Sequence, residues 1–139
     1  MIWIFIIAVI TFFIVRFLID LNKDNHDLHG RKLSEKFKFI VDVLNETAFN
    51  GKGTVTQLDK RSFNLYHEGQ NQIINFTYST GNLTITWRYK YFQKEVVHEK
   101  QFNDTRNLSI FEQQSIAEIM INEMVNIIAI HKNNVLRKI

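Results

Sequence analysis

Residues 2–19, IWIFIIAVITFFIVRFLI, place 16 apolar side chains in 18 positions, and only Thr11 and Arg16 interrupt the run. A helix that packs on a small domain shows one apolar stripe and a polar opposite face, and this segment has no polar face to show. At 1.5 Å per residue its helix measures about 27 Å, close to the roughly 30 Å hydrocarbon core of a bilayer. The sequence therefore predicts a transmembrane helix over residues 1–20. A cleavable signal peptide would carry basic residues before a shorter apolar stretch and small residues at a cleavage site, and neither is present. A lipoprotein anchor needs a cysteine, and the chain has none. The same lack excludes a thiolate zinc site, an iron–sulfur cluster, a disulfide scaffold and a cysteine nucleophile.

The flanks of the run give an expected orientation. Only Met1 precedes it, whereas Lys23, Arg31, Lys32, Lys36 and Lys38 follow it. The positive-inside rule then places the N-terminus outside and the C-terminal domain on the cytoplasmic side of an inner membrane, and Asp20, Asp24 and Asp27 weigh little against it. Arg16 lies three residues from the inner end of the run. Its side chain can snorkel to the headgroups or pair with an acidic group on a partner helix. Ala8 and Thr11 are the small side chains of the segment, too few for a small-xxx-small dimer face. Trp3, Phe12, Phe13, Arg16 and Phe17 are the expected contacts with lipid or with an integral membrane partner.

A chain of 139 residues, 45% hydrophobic, has room for this helix and one further domain. Residues 21–32 are polar and aperiodic, with Gly30 as a breaker, and read as a juxtamembrane linker. The expected α+β domain covers residues 33–139 as a helix, a five-stranded antiparallel meander and a long C-terminal helix. Leu33, Phe37, Ile40, Val41, Leu44 and Ala48 recur at spacings of three and four, which predicts one helix of about four turns stopped by Asn50 and Gly51.

From Gly53 to Phe102 the apolar period falls to two, the mark of strands with one buried face. Gly69–Gln70 fits a two-residue type II′ hairpin, which pairs Phe63 with Phe76 and Leu65 with Ile74. A turn at Ser79–Asn82 would pair Phe76 with Ile85 and Ile74 with Trp87, so both turns keep one face apolar. A turn at Gln93–Lys94 would start a last strand whose Lys100 points inward at a protected edge. The strand around Val55 is ambiguous: a two-residue turn at Asp59–Lys60 leaves Val55 on the polar face, and a longer loop reverses it. Ser109 and Glu112 form a capping box for the final helix, which is expected to reach about His131. Its apolar surface, which includes Met124 and is broadened by Ile121 and Val125, exceeds what one sheet face covers, so it either lies between sheet and first helix or offers a side to a partner.

Few groups suggest chemistry. His26 and His29 are one helical turn apart, but a polar linker provides no fixed metal geometry. The predicted register aligns His67, Gln72, Tyr89 and His98 in one inward-facing row. Strands about 4.8 Å apart separate the two histidines by about 14 Å, too far for a shared metal, so the row marks either the mouth of a small polar pocket or a wet rim of the core. Arg88, Lys90 and Lys94 alternate with Tyr89 and Tyr91, which puts charges and stacking rings on opposite faces and disfavours single-stranded nucleic acid. A formal charge of +3 adds nothing to that reading, although the charged face would suit anionic headgroups. Gly51–Thr54 lacks the spacing of a phosphate loop, and no zincin or nucleophile-elbow motif occurs. Asn45, Asn75, Asn82, Asn103 and Asn107 each begin an N-x-[ST] triplet, which in an Asn-rich chain is best explained by chance.

The expectation is a non-enzymatic, single-pass accessory or assembly subunit of a larger membrane complex, without metal, cofactor or nucleic acid. Its partners would be the lipid bilayer and integral membrane proteins, met through the membrane helix and through Ile121, Met124 and Val125. The alternative is a membrane-tethered sensor that binds a small ligand near His67, Gln72, Tyr89 and His98.

Overall fold

The computed structural model of the chain describes residues 1–27 and 32–138, with residues 20–27 described by their backbone only. Helix α1 covers Ile2–Asp27 and carries the apolar run. The helix passes Ile19 and continues through the first part of the expected linker, because extending a formed helix adds one hydrogen bond for each residue fixed. Gly30, His29 and the rest of that linker up to Arg31 lie outside the described residues.

The expected single helix after the linker is divided into α2, Leu33–Lys36, and α3, Lys38–Phe49. At the junction Phe37 has φ −108° and ψ 29°, yet the Val41 N–H still bonds the Phe37 carbonyl at 3.0 Å. The break is thus one residue wide, and it lets Leu33, Phe37, Ile40, Val41 and Leu44 all enter the core. Asn50 in the left-handed conformation and Gly51 at φ +78° stop α3 where the sequence predicts its end.

Five antiparallel strands follow in the order β1-β2-β3-β4-β5: Thr54–Asp59, Ser62–Tyr66, Gln72–Ser79, Asn82–Tyr91 and Lys94–Phe102. The central pairings agree with the sequence reading, with Phe63 opposite Phe76, Leu65 opposite Ile74, Phe76 opposite Ile85 and Ile74 opposite Trp87. Phe63, Leu65, Ile74, Phe76, Leu83 and Ile85 are fully buried, and the Phe63 and Phe76 rings stack at 4.6 Å. The opposite face carries a polar row, Thr56–Asn64–Asn75–Thr86–Glu99, running across all five strands.

Three turns differ from expectation. Between β2 and β3 the Gln70 N–H bonds the His67 carbonyl, so Gly69, at φ +83°, is the third residue of the turn and not the first central residue of a type II′ pair. At the β4–β5 turn the central residues are Phe92 and Gln93, both at positive φ, one position before the expected Gln93–Lys94. That change slides β5 by two residues, which keeps Lys100 inward opposite Ile85 but sets His98 opposite Trp87 and Val96 opposite Tyr89. In β1 an irregularity between Gln57 and Asp59, with a turn at Lys60–Arg61, puts Val55 opposite Leu65 on the inner face. Val55 nevertheless stays exposed at this edge.

Helix α4, Ile110–Arg137, runs six residues past the expected end at His131. Ser109 caps it, accepting the Glu112 N–H at 3.1 Å. Ile116, Ala117, Met120 and Met124 pack into the same core as α2, α3 and the inner sheet face. The domain is therefore two layers, with helices on one side of the sheet and the polar row on the other.

Candidate functional site

Every residue from 1 to 19 is exposed, including Trp3, Phe12, Phe13, Arg16 and Phe17. Ile2–Ile19 is long and apolar enough to cross a membrane, and no part of that stretch is buried. Phe12 and Phe13 touch edge to face, 5.9 Å between centroids, along its length. Large unburied apolar surfaces of this kind are what membrane and protein contact sites present.

The partner surface expected on the last helix divides. Met124 is fully buried and belongs to the domain's own core. Ile121 is half-buried against that core, and Val125 is exposed. The wide apolar surface arises because Ile110, Phe111, Val125, Ile130 and Leu136 lie outside the face that meets α3 and the sheet.

The row of His67, Gln72, Tyr89 and His98 does not form. Gln72 and Tyr89 are paired as expected, but His67 falls in the β2–β3 turn and His98 opposes Trp87. Gln72 instead ties the core together. Its side-chain oxygen accepts the Trp87 indole N–H at 2.9 Å, and its amide donates to the Ala48 carbonyl at 2.9 Å. Ala48 lies in the last turn of α3, where carbonyls lack helical partners, so one side chain satisfies a buried indole and a helix end together. Gln72 and Tyr89 line a depression of ≈ 260 Å³ with Arg88 and Lys90, open to solvent at the end of the sheet.

His98 enters a different cluster that sequence spacing does not reveal. Glu123 of α4 accepts from Lys100 at 2.6 Å and meets His98 Nε2 at 2.7 Å. The Lys100 hydrogen bond, followed by that of His98, holds the Glu123 carboxyl below its ordinary value. A carboxylate stabilised in its charged form by two such donors is a poor base, so the trio acts as an electrostatic clamp between α4 and the edge strand. A groove of ≈ 510 Å³ runs beside it, lined also by Asn126 and Ile127.

A second cation sits deeper. Lys36 is 8% exposed, donates to the Arg106 carbonyl, and lies 5.7 and 5.6 Å from the Phe37 and Tyr78 ring centres. It joins α2 to the segment entering α4, beside a cleft lined by Thr105, Leu108, Ser109 and Gln113. Among the described residues, no group of three or more His, Asp or Glu side chains is arranged to hold a metal ion. No protein-family model, curated protein or solved structure matches this chain.

Proposed function

We propose that this chain is a non-enzymatic, single-pass membrane protein whose α+β domain faces the cytoplasm and serves as an accessory or assembly subunit of a larger membrane complex. The observation that carries the reading is α1, whose 18-residue apolar stretch is 0% buried. Lipid or another apolar protein surface has to cover such side chains, because leaving them in water forfeits the hydrophobic term. The basic residues after the stretch, Lys23, Arg31, Lys32, Lys36 and Lys38, support a cytoplasmic domain. The exposed apolar side chains of α4, Val125 and Ile130 among them, support a role in protein contacts.

The test is purification from the native host in mild detergent with a tag after Ile139, followed by mass spectrometry. Defined membrane subunits at near-stoichiometric amounts are the expected result. Recovery of the protein without companions, repeated after crosslinking in intact membranes, would overturn the subunit reading.

A further inference from the structure

We infer that the start of α4 is a second membrane contact, with Ile110 and Phe111 seated in the headgroup–acyl boundary of the bilayer that α1 crosses. The inference rests on the reading of α1 as a membrane span. Beyond α1, from Leu33 onward, Phe111 at 84% and Ile110 at 66% are the most exposed large apolar side chains among the described residues. They adjoin each other on the first turn of a capped helix, so their position is fixed by the Ser109–Glu112 hydrogen bond rather than by a loop.

Their place in the fold is set by the tether. Leu33 follows Asp27 by six residues, a reach of at most about 22 Å. Helix α1 extends eight residues beyond Ile19, about 12 Å. The α2 segment that begins at Leu33 is bound to the entry of α4 through Lys36 and the Arg106 carbonyl, and the Thr105 N–H bonds the Gly81 carbonyl at the same end of the sheet. Ile110 and Phe111 thus sit at the end of the domain held nearest the membrane.

Phe92 offers a contrast. It is 62% exposed, but it lies at the other end of the ten-residue β4, about 33 Å along the strand. On α4 the turn after Phe111 is polar, with Ser115 and Glu118 exposed and Gln114 bonded to Glu118 at 3.0 Å, which limits insertion to the first turn. A shallow contact of that depth is what interfacial aromatic and aliphatic side chains make.

The chain contains no cysteine, so single cysteines report without background. Full-length Phe12→Cys, Phe92→Cys and Phe111→Cys variants, each carrying an environment-sensitive nitrobenzoxadiazole label, would be reconstituted into phosphatidylcholine–phosphatidylglycerol vesicles with nitroxide-labelled lipid. Labels at 12 and 111 are expected to shift to the blue and to be quenched several-fold more than the label at 92. Adding Ile110→Asp to the Phe111→Cys chain should cut quenching at 111 and leave it unchanged at 12. Labels at 92 and 111 that both stay unquenched while 12 is quenched overturn the second contact and leave the span intact. Strong and equal quenching at 92 and 111 shows a domain lying flat and also overturns it. A label at 12 that stays in water removes the span, and the second contact with it.

Discussion

Trp87 donates its indole N–H to the side-chain oxygen of Gln72 at 2.9 Å, and the same amide caps the last turn of α3. Trp87 is 3% exposed, so water does not replace this acceptor when it is lost. Gln72→Ala should therefore destabilise the domain by about 1–3 kcal/mol, the cost of leaving a buried donor unpaired. Urea unfolding in detergent, followed by tryptophan fluorescence, measures it.

Gly53 is held between α3 and β1. Asn45 grips it from both sides, donating to its carbonyl at 3.1 Å and accepting its N–H at 2.8 Å. A Cβ there would lie 2.6 Å from Asn45 Oδ1 and 2.9 Å from Phe49 Cδ2. Gly53→Ala is expected to cost about 1–3 kcal/mol, as overpacking does. Thermal unfolding of this variant should fall clearly below that of the parent chain.

Gln93 occupies a left-handed position at φ 64°. That conformation costs an L-residue about 1–2 kcal/mol, and glycine's extra chain entropy costs about 0.5–1 kcal/mol. Gln93→Gly should raise stability by about 0.5–1 kcal/mol while Phe92 keeps its edge-to-face contact with Tyr91. A lower melting temperature would show that Gln93 contributes contacts beyond its backbone.

The Glu123 clamp sets a pH dependence. Lys100, then His98, lowers the folded-state pKa of Glu123 beneath its reference value of 4.5. A depressed carboxyl pKa adds stability that is present above the unfolded value and lost as pH falls through the folded one. The parent chain should exceed Glu123→Gln in stability near neutrality, and the gap should close as the solution is made strongly acid. Because the Glu123 side chain is 37% exposed, added salt should also narrow the gap. Urea midpoints for both chains across that pH range decide it.

The central sheet is legible in the sequence because turn chemistry and alternation agree there. Gly81 at φ +77° follows Thr80 at φ 52°, and a two-residue turn at that place fixes Phe76 against Ile85. The β4–β5 turn carries no such signal, since neither Phe92 nor Gln93 is a residue that favours positive φ. A turn placed one residue later would set His98 beside Tyr89 and create a polar row that the fold does not build. The β1–β2 turn is closed locally by Asp59, which accepts the Arg61 N–H at 2.7 Å, but Asp59–Lys60 reads equally well as the turn itself, and the break at Phe37 has no local signature and serves only to bring that ring into the core. Glu123 is more than twenty residues from His98 and Lys100, and the three become neighbours only once the β5 register is known. Met124 reads as a contact residue in the sequence because a helix's apolar breadth does not tell which of its flanks meets the sheet.

Helices α3 and α4 share the cover of one sheet face, but they stand on opposite sides of the five strands in the chain. During synthesis α3 emerges before the strands and α4 after them. A growing chain therefore completes its meander with the apolar face still bare over β4 and β5, the strands that α4 packs against. The newly made protein carries that open surface until α4 arrives, and any delay there extends the time in which a chaperone or a neighbouring chain can occupy the place of α4.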